Sequence, residues 1–325
     1  MKNYKIWTLI AGSLKNDIPV MLLYVLESKG SSPGRQGFCM AVNAAGEMEG
    51  SIGGGIMEHK FVEMAKERLK GENREPVVRK QMHDKAAPAD QSGMICSGEQ
   101  TIWIYPVKKE EAGVISQLVH SLTENNNGTL CLSPQGIAFD TSLPIKNFDF
   151  QFESAEQWEY KEKTGYKNKA FIIGGGHCSL ALSRLLQSID FFVSVFDDRD
   201  GLNTLQKNEW AHEKHIVTDY TTLGELIPAG PDKYVVIMTV GYRTDDLAIK
   251  ALLDKKFKYL GVLGSQKKME TLFDKYRKEG VPEEWLQRIH TPVGLAINSQ
   301  TPEEIAVSIA AEIIMVKNSV ASPAY

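Results

Sequence analysis

The residues best suited to chemistry begin with Gly174-Gly175-Gly176-His177-Cys178-Ser179, which follows the apolar run Ala170-Phe171-Ile172-Ile173 and opens a helical pattern. A glycine-rich turn between a strand and a helix can cradle a phosphate. Gly174 permits the tight turn, and Gly176 allows a pyrophosphate close to the helix start, whose amides and dipole favour negative charge. Ser179 stands where the dinucleotide fingerprint has a third glycine, and it is small enough for close helix packing. Asp197 ends the next apolar run, 23 positions after Gly174, where a carboxylate can accept hydrogen bonds from a ribose. Two later turns supply Arg243, Ser265 and Lys267, candidates for contact with a phosphate or a polar ring edge. His177 and Cys178 are adjacent and so do not share a helix face, which argues against a base–nucleophile pair. His212 and His215 have no evident third ligand nearby, so no metal site and no catalytic residue is assigned from protein side chains.

A second glycine-rich stretch, from Gly50 through Ser51, Ile52, Gly53, Gly54 and Gly55, precedes Met57, Phe61, Met64, Ala65 and Leu69 at helical spacing. Glycine costs about 1 kcal/mol relative to alanine in regular structure. Four in six residues therefore suggest a required turn, whose amides at a helix start suit an anion. Ser51, Gly53, Gly54 and Gly55 are the candidate contacts there.

Elements that must position these residues follow from period and punctuation. Residues 4–14 have helical spacing, residues 20–26 form an all-apolar strand, and residues 28–35 form a breaker-rich loop. Strands are expected over 38–42, 77–82, 101–107 and 130–132, with a helix over 112–122. Residues 141–164 show no sustained period and read as a connector, with Phe148, Phe150 and Phe152 as one optional edge strand. Beyond it, strands over 170–173, 191–196, 215–217, 234–240 and 259–262 alternate with helices over 180–189 and 245–253. Such alternation predicts a mainly parallel sheet covered on both faces. Thr301, with Glu304 three residues on, caps a final helix over 302–316. The expected fold is α/β: a mixed α/β domain over 1–145, a linker over 146–166 and a Rossmann-like domain over 167–325.

Composition narrows the class. With 325 residues, two domains are the better prior. A net charge of -4 gives no reason to expect nucleic acid, which needs concentrated Lys and Arg, and no apolar stretch reaches membrane-spanning length. Four widely separated cysteines form no C-x-x-C pair and no disulfide framework, and no signal peptide is visible, all of which fits a cytoplasmic protein.

Taken together, the chain resembles the xanthine dehydrogenase accessory factor family, also found with carbon monoxide dehydrogenase maturation genes. The resemblance rests on Gly30-Ser31-Ser32-Pro33, the Gly50–Gly55 stretch, Gly174-Gly175-Gly176-His177 and Asp197-Asp198-Arg199. It continues through Tyr259-Leu260-Gly261-Val262-Leu263-Gly264-Ser265, Thr291-Pro292-Val293-Gly294-Leu295 and the segment from Thr301 to Ile313. The resemblance implies a maturation chaperone that binds and protects molybdenum cofactor and passes it to a xanthine-dehydrogenase-like client, with a cysteine desulfurase as a further partner and a homodimer as its state. It implies no oxidation of the client's substrate by this chain. Cys96, in a segment resembling the family's cysteine-glycine-glycine, is the candidate soft ligand for the metal end. His177 then becomes a pocket-wall residue, and a ligand held across both domains is expected. The chain departs from the family pattern at Ile56, where many members carry cysteine, at Val240-Gly241, where histidine is frequent, and at Ser97, which replaces a glycine. Two other classes stay open: an NAD(P)-binding oxidoreductase, and a non-enzymatic regulatory scaffold with an unused nucleotide pocket.

Overall fold

The computed structural model describes residues 3–71, 75–82 and 98–319. The chain divides into two compact units, Met1–Gly165 and Tyr166–Tyr325.

In the first unit the chain runs α1 (Tyr4–Lys15), β1 (Val20–Gly30), β2 (Cys39–Asn43), β3 (Met48–Gly50), α2 (Gly55–Lys70), β4 (Val77–Met82) and β5 (Gly98–Pro106). It continues through α3 (Ala112–Thr123), β6 (Thr129–Ser133), β7 (Gly136–Asp140), β8 (Phe148–Phe152) and β9 (Trp158–Lys163). Five strands form an antiparallel sheet in the order β3-β2-β1-β5-β4. The apolar run of β1 is explained by burial on both faces. Leu22, Tyr24 and Leu26 face α1, α3 and the second sheet, while Met21, Leu23 and Val25 face α2.

The second sheet, β7-β6-β9-β8, is also antiparallel. Its strands β8 and β9 occupy the stretch expected as a linker over 146–166, and the division between units comes after Gly165. The cause is a period-2 pattern in β9: Trp158, Tyr160 and Glu162 point inward and alternate with outward charged residues. Trp158 and Tyr160 are buried in the core shared with α1 and α3. Glu162 is tolerated there because Tyr24 and Tyr160 both donate to its Oε2.

In the second unit the chain runs β10 (Asn168–Ile173), α4 (His177–Ser188), β11 (Phe191–Asp197), α5 (Asn203–Gln206), β12 (Glu213–Ile216), α6 (Leu223–Leu226) and β13 (Gly230–Ile237). There follow α7 (Tyr242–Leu252), β14 (Phe257–Val262), α8 (Gln266–Lys278), α9 (Glu283–Leu286), β15 (Ile289–His290) and α10 (Pro302–Asn318). All pairings are parallel, in the order β12-β11-β10-β13-β14-β15. Strand order reverses between β10 and β13, the topological switch point at which open α/β sheets bind ligands.

Apolar side chains of α4 and α10 pack one face of this sheet, and those of α7 and α8 pack the other. Helix α8 is not among the helices expected from the sequence, although Met269, Leu272 and Tyr276 give it a buried stripe. The capping box of α10 forms as expected: Thr301 Oγ1 accepts the Glu304 amide at 3.2 Å, and Glu304 Oε2 accepts the Thr301 amide at 3.0 Å. No described helix is long and apolar enough to cross a membrane.

Candidate functional site

In the second unit β10 ends at Ile173 and the chain turns sharply at Gly174, which has φ +105°. A Cβ at Gly174 would lie 2.4 Å from the Met238 carbonyl oxygen, so the turn sits directly against the chain leaving β13. Only glycine satisfies both demands. Gly176 is the N-cap of α4, and a Cβ there would meet nothing within 4 Å. Space is therefore open at the first turn of the helix, where unpaired amides favour an anion.

The carboxylate of Asp197 braces this turn from β11. Its side chain is fully buried; Oδ2 accepts the Gly175 amide at 2.6 Å, and Oδ1 accepts the Arg199 amide at 2.9 Å. The Arg199 guanidinium adds Nε to Oδ1 and Nη2 to Oδ2, both at 2.8 Å. Burial alone would raise the Asp197 carboxyl, but the guanidinium and the two amides outweigh it and hold the group below its ordinary value. Asp197 is thus committed to the protein's own donors. At the same strand end Asp198 is partly exposed and accepts the Tyr220 hydroxyl at 3.1 Å.

The other named residues separate by environment. His177 is exposed as the first residue of α4, while Cys178 is half-buried and burial pushes its thiol up, away from an activated thiolate. Ser179 is buried, and its hydroxyl has no hydrogen-bond partner among the described residues. Arg243 is exposed near the start of α7, and Lys267 is exposed on α8. Ser265 is the N-cap of α8 and accepts the Lys268 amide at 3.4 Å. His212 uses both ring nitrogens inside the fold, with Nδ1 accepting the Val193 amide at 3.0 Å and Nε2 lying 2.6 Å from the Tyr166 hydroxyl.

Three residues at the carboxyl ends of β13 and β14 were not among the expected contacts. Asp245 has a fully buried side chain; its Oδ1 accepts the Thr239 hydroxyl at 2.6 Å and the Thr239 amide at 3.1 Å, and its Oδ2 accepts Lys268 Nζ. The sequence shows Asp245-Asp246 and Lys267-Lys268 as equivalent pairs, and only helix phase selects Asp245 and Lys268 as the inward members. Arg199 was likewise visible only as part of a motif, without its role as the partner of Asp197.

In the first unit the glycine-rich turn is already filled by a carboxylate of the chain. Glu58 Oε2 accepts the Ser51 hydroxyl at 2.6 Å and the Ile52 and Gly54 amides at 2.9 Å each. Ser51 Oγ also accepts the Gly53 amide at 3.1 Å, and Gly55 is exposed at the start of α2. Burial raises the Glu58 carboxyl, but the Ser51 hydroxyl and the turn amides reverse this and leave it lowered. Gln100 Nε2 ties the loop over 28–35 to the glycine-rich turn by donating to the Gly34 and Ile52 carbonyls at 3.0 and 3.1 Å. Gly98 packs against the Ser31-Ser32 backbone, where a Cβ would fall 2.6 Å from the Ser32 nitrogen. Cys96 and Ser97 lie outside the described residues. Ile56 is exposed beside the turn.

A sequence profile for the XdhC Rossmann domain matches residues 170–313, and one for the XdhC and CoxI family matches residues 13–80. The Escherichia coli (strain K12) protein YqeB, described as uncharacterized, is 26% identical over 97% of this chain and 46% of its own length. A Bacillus subtilis (strain 168) protein, described as a probable xanthine dehydrogenase subunit, is 29% identical over 48% of this chain and 44% of its own. The chain spans about half the length of the curated relatives it matches. A crystal structure from Bacillus halodurans, described as a xanthine dehydrogenase, has a TM-score of 0.73 over 99% of this chain and 98% of that one, at 23% identity. That likeness establishes a common fold.

Proposed function

We propose, on the premise that the chain belongs to the XdhC and CoxI family, that it is a maturation factor which carries molybdenum cofactor to a xanthine-dehydrogenase-like client. Family membership supports the maturation role, and the site supports carriage over catalysis. The observation that carries the reading is the α4 start, where Gly176 leaves open space beside an Asp197–Arg199 brace. Helix-start amides there suit the phosphate of the cargo. Beside them the Cys178 thiol is pushed up by burial, which disfavours the thiolate a nucleophile needs. Cys96 is proposed as the soft ligand for the metal end of the cargo, which would leave the cofactor able to dissociate when a client docks. A homodimer, and a cysteine desulfurase that sulfurates the bound cofactor before transfer, belong to the same proposal.

The test is reconstitution of cofactor-free client with cofactor-loaded protein, comparing wild type, Cys96→Ser and Gly176→Ala, with client activity followed over time. Expected are strong activation by wild type, slower or lower activation by Cys96→Ser, and poor loading of Gly176→Ala. Client activation that proceeds equally without this protein would reject delivery. Calorimetry with NAD and NADP tests the oxidoreductase reading, which NAD-dependent turnover without pterin binding would favour. The absence of binding by every nucleotide and pterin would favour the scaffold reading.

A further inference from the structure

A cavity of about 180 Å³ opens beside the first half of β14, with Lys255, Lys258, Tyr259, Trp285, Arg288 and His290 in its lining. It is separate from the Gly174 turn. In a parallel sheet the first half of β14 lies toward the opposite end from the turn that follows β10, and β13 stands between the two strands.

The sheet edge explains why the cavity exists. β15 has two residues and pairs only Leu260 and Gly261, so on the side of β14 away from β13 no described strand flanks Phe257, Lys258 and Tyr259. Unpaired edge backbone presents donors and acceptors that need partners.

Its lining is cationic and holds no carboxylate. Lys255, Lys258, Arg288 and His290 converge there, with Lys255 Nζ held by the Ile227 carbonyl at 2.9 Å. Neither Lys258 nor Arg288 has a carboxylate partner among the described residues. Arg288 lies over the Trp285 ring at 5.9 Å from its centroid. His290 is oriented from behind: Nδ1 is 3.0 Å from Glu312 Oε1, and the ring stacks on Tyr259 at 4.5 Å. The same Glu312 accepts the Tyr259 hydroxyl at 2.5 Å and the Gly294 amide at 2.7 Å, which fixes it in place. Nε2 is the ring atom not committed to Glu312.

We infer that this cavity is a second anion site, which takes a small oxyanion, a phosphate or a carboxylate, on Lys258 and Arg288, with His290 as part of its wall. The volume is below the roughly 300–1,000 Å³ typical of drug-sized ligand pockets, so the occupant is small. Planar guanidinium and point-charge ammonium are both suited to oxyanions, and a charge-assisted contact is about twice as strong as a neutral one. The site neither needs nor contradicts carriage of a cofactor at the α4 turn.

Inorganic phosphate and acetate are titrated separately into the full-length protein, with heat and tryptophan fluorescence as readouts and Trp285→Phe as the control for the optical signal. Saturable binding of either anion is expected, and the better of the two identifies the source. Arg288→Gln with Lys258→Gln should weaken it about tenfold or more, whereas Gly176→Ala, which alters the other anion site, should leave it in place. Arg288 is exposed, so Arg288→Gln alone gives a folded protein with a smaller loss should the double variant melt early. No saturation by either anion overturns the inference. Equal affinity in wild type and in the folded double or single variant overturns it as well, because the anion would then sit elsewhere.

Discussion

Asp197 Oδ2 accepts the Gly175 amide at 2.6 Å, so one carboxylate ties the end of β11 to the turn after β10. Arg199 completes the arrangement from the exposed side. Replacement of Asp197 by Asn should cost about 2 kcal/mol, at the low end for a broken buried pair because Arg199 retains access to solvent. Calorimetric melting provides the measurement. The sign with pH is fixed by the lowered carboxyl. Its contribution is complete above the unfolded value of about 3.9 and is lost as pH falls through the lower folded value. The gap between wild type and variant should therefore be constant at neutral pH and shrink below about pH 4. A gap that widens on acidification would contradict the brace.

The two outer glycines of the same turn should respond to alanine by very different amounts. At Gly174, positive φ and a Cβ 2.4 Å from the Met238 oxygen predict a loss of about 3 kcal/mol or more. At Gly176 φ is -71° and the space is open, so only the N-cap preference is lost, about 0.5–1 kcal/mol. Gly176→Ala should nevertheless bind a pyrophosphate-bearing probe such as NADH more weakly, since its methyl occupies the approach to the helix start. Chemical denaturation and calorimetric titration of both variants separate folding from binding. Equal stabilities would show that the turn is not held as described.

How much of this was legible in the sequence depends on whether a signal was local. The runs around Ile172, Val195 and Val236 are apolar because these strands are buried on both faces, and that pattern marks a parallel sheet directly. The Gly174 turn was legible for the same local reason. Strand β9 was obscured because its alternation of Trp158, Tyr160 and Glu162 with charged residues ends on an inward carboxylate, and Tyr24, which satisfies it, is 138 positions away. Glu58 was read past because its acceptor role depends on a turn folding back over seven residues. Asp245 and Lys268 required helix phase and a contact across 23 positions, and neither is written in a motif.

Trp158 tests the reassignment of the expected linker. It is buried and meets Trp103 edge-on at a centroid distance of 5.2 Å. Trp158→Ala should destabilise the first unit by roughly 3–5 kcal/mol, as for a large aromatic removed from a core. A connector residue would cost less than about 0.5 kcal/mol. Denaturant melts followed by far-ultraviolet circular dichroism distinguish the two, and a variant with an unchanged midpoint would return residues 146–166 to a linker.

Glu58 decides what the first glycine-rich turn can bind. In the wild type its carboxylate already accepts the Ser51 hydroxyl and the Ile52 and Gly54 amides, so an external anion would have to displace a tethered one. Glu58→Ala removes that acceptor, leaves the donors unpaired and should cost about 1–3 kcal/mol. A vacated ring of amides at the start of α2 is then an anion site. Inorganic phosphate should accordingly raise the melting temperature of Glu58→Ala by more than it raises that of wild type, because only the variant gains this extra site on its folded form. The increment over wild type is the diagnostic quantity, since phosphate bound elsewhere stabilises both proteins alike. The wild-type carboxyl is lowered, so its contribution is present above the usual glutamate value of about 4.3 and is lost as pH falls through the lower folded one. Acidification should therefore bring wild type toward the variant. If phosphate lifts both proteins equally, the amides of Ile52 and Gly54 are not held by Glu58, and the turn would regain its standing as an anion site in the wild type.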